Sequence, residues 1–128
     1  MSHSEIVEDV LSNKVIGAAL EVHRNLGPGL LESAYSACMA RELSLREIPF
    51  AKETELPLDY KGIQLATGYR ADMIVDEKIL LEFKVVRKIE DVHVAQVLTY
   101  LKVSGLRTGL IINWNVSILK HGIQRVVL

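Results

Sequence analysis

Residues 69–86 read Tyr69-Arg70-Ala71-Asp72-Met73-Ile74-Val75-Asp76-Glu77-Lys78-Ile79-Leu80-Leu81-Glu82-Phe83-Lys84-Val85-Val86. Two β-runs flank a polar Asp76-Glu77-Lys78 turn. In the first run the odd positions are Tyr, Ala, Met and Val, so one face is apolar, while Arg70 and Asp72 lie on the other. In the second the odd positions are Ile, Leu, Phe and Val, and the even ones set Glu82 and Lys84 between Leu80 and Val86. Matching the apolar faces across a three-residue loop requires partners whose numbers sum to 154, which sets Asp72 opposite Glu82. Like charges facing each other in mid-strand destabilise a sheet. A hard divalent cation such as Mg²⁺ or Mn²⁺, which favours carboxylate oxygens and water, resolves the conflict, and Lys84 then points its ammonium into the same site. Equally, Lys84 alone neutralises the two acids in a solvated cross-strand cluster, and spacing does not choose between these readings.

Working outward, residues 91–104 return to helical spacing through Val94, Val97, Leu98 and Leu101, ending at Gly105, and residues 108–114 and 122–128 are apolar strands. On that helix His93, Gln96 and Tyr100 share a polar face beside the core stripe. Upstream, residues 5–26 carry Ile6, Val7, Val10, Leu11, Val15, Ala18, Ala19 and Val22 at helical intervals, with Ser4 as expected N-cap and Gly27 as terminator. The turn Leu26-Gly27-Pro28-Gly29-Leu30 leads into a second helix running to about Glu47, with Glu32 in its first turn on the edge of the apolar stripe. Pro49, Pro57, Gly62 and Gly68 punctuate short strands near 50–54, 56–60 and 63–66. The order ααβββββαββ, without repeat or linker, predicts one α/β domain over residues 1–128, a mixed sheet sharing its core with the helices.

Composition narrows the function. With 128 residues, 49% of them hydrophobic, the chain builds a core without disulfides. Its single cysteine, Cys38, excludes an internal disulfide and a thiolate cluster, which fits a reducing cytoplasm. Met1 to Glu5 lack a basic, then apolar, leader, and no apolar run reaches the length of a membrane span, so no membrane is expected as a partner. Fifteen Lys and Arg against sixteen Asp and Glu give a net charge of −1, so any polyanion must be met by a local groove. Arg87-Lys88, just beyond the second run, could contact a phosphate backbone, whereas no recognition helix is evident to read base sequence.

Leu26-Gly27-Pro28-Gly29-Leu30-Leu31-Glu32-Ser33-Ala34-Tyr35 resembles the signature of the GxxExxY proteins, with Gly29, Glu32 and Tyr35 at the named positions. Gly68 to Asp72, Leu81 to Lys84, His93 to Gln96 with Tyr100-Leu101, and Ile111 to Trp114 resemble that family's later blocks in the same order; the last often ends Asn-Phe where this chain has Asn113-Trp114. That family is similar in turn to the PD-(D/E)XK nuclease-like superfamily. The resemblance implies a restriction-endonuclease-like core, a mixed sheet flanked by helices with metal carboxylates on a central hairpin. It implies that Asp72, Glu82 and the backbone carbonyl of Phe83 ligate Mg²⁺ or Mn²⁺, that Lys84 activates water and stabilises developing charge, and that Glu32 is a helical acid. Gln96 and Tyr100 match a Gln-x-x-x-Tyr element that contacts nucleic acid or orders the site, while Tyr35, Arg70 and His93 stand in matching blocks as supporting or substrate-binding residues. The expected function is a metal-dependent phosphodiesterase acting on DNA or RNA without sequence specificity, working alone, as a homodimer or with a protein partner. The alternative is a non-catalytic module on the same fold that binds a protein or a nucleic-acid end. A strand at 122–128, if at a sheet edge, could pair two chains.

Overall fold

The hydrophobic pattern resolves into three helices and seven strands in a computed structural model that describes residues 1–128. The helices are α1 (His3–Leu26), α2 (Glu32–Leu45) and α3 (Asp91–Ser104). The strands are β1 (Phe50–Glu55), β2 (Leu58–Tyr60), β3 (Ile63–Leu65), β4 (Arg70–Val75), β5 (Ile79–Lys84), β6 (Thr108–Asn113) and β7 (Ile123–Val127). Five strands form one mixed sheet in the order β1-β4-β5-β6-β7. All neighbours in it are antiparallel except β5 and β6, which run parallel because α3 carries the chain back between them.

Parity along the central strands sorts the core into two layers. Met73, Val75, Ile79, Leu81 and Phe83 pack with α1 and α2, joined by Leu110, Ile112 and Trp114. On the other face Leu80 and Ile111 pack with Val97, Tyr100 and Leu101 of α3. Every β5 residue from Ile79 to Phe83 is therefore buried, and its even positions look toward α3. At Gly109 a Cβ would stand 2.9 Å from Val97 Cγ1, so the missing side chain lets α3 settle on β6. The long α1 crosses back to the last strands, where Glu8 pairs with Arg107 at 2.5 Å and Asp9 with Arg125 at 2.5 Å.

Three local expectations are corrected. The N-cap of α1 is Ser2 rather than Ser4: its hydroxyl accepts from Glu5 N at 3.2 Å, starting the helix two residues earlier. Strands β2 and β3 leave the main sheet and pair only with each other. The final strand does not begin at Gly122; a 3₁₀ turn, Leu119–Gly122, precedes it. There a Cβ on Gly122 would fall 2.3 Å from the Asn113 carbonyl oxygen, so the chain passes hard against β6 before turning into β7. β7 is indeed an edge strand.

Candidate active site at the open end of the central hairpin

The β4–β5 pairing follows the register read from the two apolar faces: Met73↔Leu81, Ile74↔Leu80 and Val75↔Ile79. It stops before Asp72 and Glu82. Instead of a ladder carbonyl, the Asp72 carboxylate accepts the Phe83 N–H at 2.7 Å. Within a strand the N–H and C=O of one residue point to the same side, so the Phe83 carbonyl is directed toward that gap as well. The neighbouring carbonyl, that of Lys84, points the opposite way and accepts from Trp114 N at 3.0 Å. Across Asp72 on its other side Glu53 has φ 49°, and although Lys52↔Met73 and Thr54↔Ala71 keep one register, Glu53 and Asp72 between them are not paired. Asp72 thus sits where the sheet opens.

Glu82 is 6% exposed and its Oε1 is buried without a hydrogen-bond partner. Burial, and next the charge of Asp72 and its availability as partner for the Glu82 proton, push this carboxyl from the usual 4.5 up to about 8; Glu32 adds to the rise and Lys84 opposes it. At neutral pH the cation-free site therefore holds a proton. Lys84 Nζ lies 3.8 Å from Glu82 Oε2 and donates to Gln96 Oε1 at 3.3 Å. Gln96 Nε2 in turn donates to the Tyr100 hydroxyl at 3.1 Å. Tyr100 also titrates above the usual tyrosine range, from burial first and then the charges of Glu82 and Asp72. Glu32, at the start of α2, is raised as well, by burial and then by Asp72, with Lys84 pulling the other way. Mutual influence through charge ties Glu32, Asp72, Glu82, Lys84 and Tyr100 into one cluster drawn from four elements.

An unpartnered buried carboxylate oxygen beside a second carboxylate and an inward carbonyl suits a hard divalent cation whose remaining ligands are water or phosphate. No group of three or more His, Cys, Asp or Glu side chains is disposed to hold a metal. Such a site would thus rest on Asp72, Glu82 and the Phe83 carbonyl.

Three residues of the expected set lie elsewhere. His93 Nδ1 accepts from Glu90 N at 2.9 Å, capping α3 rather than reaching the hairpin. Arg70 extends to Glu55 at 3.5 Å on the surface. Tyr35 cannot touch a substrate, since it is fully buried and stacked on Trp114 with ring centroids 4.9 Å apart. Its hydroxyl donates to Gly27 O at 2.6 Å and accepts from Leu30 N at 3.2 Å. The Gly29, Glu32, Tyr35 spacing thereby acquires a physical sense: the tyrosine ties down the turn that aims the first residue of α2.

Two residues of the matching blocks, Asn113 and Tyr69, receive no role from the sequence. Asn113 accepts from Val86 N at 3.1 Å and donates to Val86 O at 2.9 Å, clamping the backbone just beyond Lys84. Its signal was an amide ending the buried run Leu110-Ile111-Ile112, where a polar group must find partners. Tyr69 rests against Tyr100 at 5.6 Å and flanks the cluster. No helix is long and apolar enough to cross a membrane. In comparison with known proteins, the model of the PD-(D/E)XK nuclease superfamily matches residues 9–126. No curated protein and no solved structure matches the chain.

Proposed function

Because the chain belongs to the PD-(D/E)XK nuclease superfamily, we propose that it is a divalent-metal-dependent phosphodiesterase that hydrolyses DNA or RNA at the Asp72, Glu82, Lys84 cluster. The observation that carries this reading is the buried, unpartnered Oε1 of Glu82 beside Asp72, an arrangement costly in a fold that has no use for it. Asp72, Glu82 and the Phe83 carbonyl would hold Mg²⁺ or Mn²⁺, which when bound supplies charge neutralisation at the phosphate and acidifies its water. Lys84 donates to Gln96, which donates to Tyr100, and in this reading its ammonium would stabilise the charge that a phosphate oxygen gains in the transition state. Glu32, whose carboxyl is raised by burial and by the charge of Asp72, would serve as an auxiliary acid or base for the same reaction. Asn113 fixes the backbone that follows Lys84.

The test is calorimetric titration of Mn²⁺ into the wild type and Glu82→Ala, followed by cleavage assays on DNA and RNA oligonucleotides with Lys84→Ala as control. Mn²⁺ binding confined to the wild type, with cleavage abolished in Lys84→Ala, is the expected result. Cleavage undiminished in either variant would overturn the assignment. An interaction module on the same fold instead predicts oligonucleotide or protein binding that is unaffected by chelator and by Asp72→Asn.

A further inference from the structure

With a net charge of −1, the molecule has no overall attraction for a polyanion, so affinity for nucleic acid must be local. Most basic side chains in the second half of the chain are already committed: Arg70 to Glu55, Lys78 to Asp76, Lys84 to Glu82, Arg107 to Glu8 and Arg125 to Asp9. Arg87 and Lys88 are exposed, adjacent, and make no ion pair or side-chain hydrogen bond. They stand between two cavities of about 520 and 300 Å³ and line both. The first also presents His93, whose Nδ1 is occupied as an acceptor, which assigns its N–H to Nε2 as a donor. The second adds His121 and Gln124, against a single acid, Glu90, lining the first. Asn113 grips both backbone groups of Val86, so the segment that carries the two cations leaves β5 in a fixed direction.

We propose that Arg87 and Lys88, with their flanking clefts, form a phosphate-binding subsite that grips the sugar–phosphate backbone beside the bond cleaved at Lys84. Three and four residues of chain separate them from Lys84, at most about 10 and 14 Å between Cα atoms. A strand advancing about 3.4 Å per nucleotide covers that distance in no more than roughly four nucleotides. The subsite supplies the polyanion affinity that the overall charge withholds, and it contacts phosphate alone, so it is indifferent to base sequence. This inference rests on the phosphodiesterase reading for the meaning of Lys84, but its test does not require turnover.

Binding of a fluorescein-labelled single strand of about 20 nucleotides is measured by anisotropy in chelator over a NaCl series, for wild type, Arg87→Gln/Lys88→Gln and the charge-matched control Lys14→Gln/Lys102→Gln. Neutralising two phosphate contacts on a single strand should flatten the slope of log K against log[NaCl] by about 1.4. The same variant should lose on the order of tenfold in affinity at low salt, while the control keeps the wild-type slope. With an active protein, the variant should raise KM for the oligonucleotide and leave hydrolysis of bis(p-nitrophenyl) phosphate unchanged. A slope equal to wild type in the Arg87/Lys88 variant, an equal drop in the control, or no oligonucleotide binding by the wild type overturns the subsite. A flattened slope without cleavage by the wild type would uphold the subsite and count against the phosphodiesterase instead.

Discussion

Replacing Glu82 by Gln should make the cation-free protein more stable, increasingly so as pH rises. The folded carboxyl holds its proton up to about 8 against 4.5 for an ordinary glutamate. The folded state therefore binds that proton more tightly than the unfolded state, and the penalty is absent below 4.5, grows as pH climbs through the interval and is complete above 8. At about 1.4 kcal/mol per pH unit this amounts to about 3 kcal/mol at pH 7 and on the order of 5 kcal/mol at pH 9. Gln fills the same volume, carries no charge and can donate to Asp72, so it escapes the penalty. For a domain of this size each kcal/mol moves Tm by about 3–5 °C, so thermal unfolding in chelator should separate the variant from wild type by about 10 °C or more at pH 9 and by little at pH 5. Mn²⁺ at about 100 times its Kd should return about 2.7 kcal/mol to the wild type, less at acid pH where a proton must first leave, and little to the variant. Parallel pH profiles for the two proteins in chelator would refute the reasoning, for Glu82 would then carry no buried charge.

Lys84→Ala should abolish cleavage while retaining Mn²⁺ binding, with the affinity at neutral pH somewhat reduced because Lys84 lowers the Glu82 pKa; calorimetry and a cleavage assay check both halves. Tyr35→Phe removes the hydroxyl shared by Gly27 O and Leu30 N and should cost about 1–2 kcal/mol in urea unfolding, with a fall in kcat as the turn ahead of Glu32 loosens. Gly122→Ala sets a methyl against the Asn113 carbonyl and should cost about 3 kcal/mol or more, read as a lowered Tm. Mn²⁺ binding should be displaced as pH falls, because protons compete at Glu82, and affinities measured at about pH 6 and pH 8 should differ by tenfold or more.

How far the chain could be read without coordinates depended on whether a signal was local. Helix α3 emerged with its observed bounds, because Val94, Val97, Leu98 and Leu101 mark a clear stripe and Gly105 stops it. The β4–β5 register followed from parity together with the three-residue loop at 76–78, since a slip of one residue would turn Met73 and Leu81 out of the core. That Asp72 would leave the ladder and take the Phe83 N–H was not legible, because alternation describes side chains and not which backbone group bonds to what. The approach of Glu32 to the hairpin, and the diversion of His93 to a helix cap, are set by how α2 and α3 settle on the sheet. Ser4 was the expected cap of α1, and only the fold of the first turn shows that Ser2 takes that place. The β2–β3 ribbon carries strand-like alternation, which says that a segment is extended without saying what it pairs with.

The ion pairs that fasten α1 to the far strands bear on how the chain comes off the ribosome. Glu8 meets Arg107, 99 residues later, and Asp9 meets Arg125, 116 residues later. At roughly 5–20 residues per second, the first helix waits on the order of 5–20 s for the strands that cover it. During that interval Val15, Ala18, Ala19 and Val22, all buried in the finished fold, lack part of their cover. Chains stalled or cleaved before Arg107 would keep that stripe open, marking them for chaperones or proteases, and full-length folding should be slow for a protein of this size because so much of its closure is long-range.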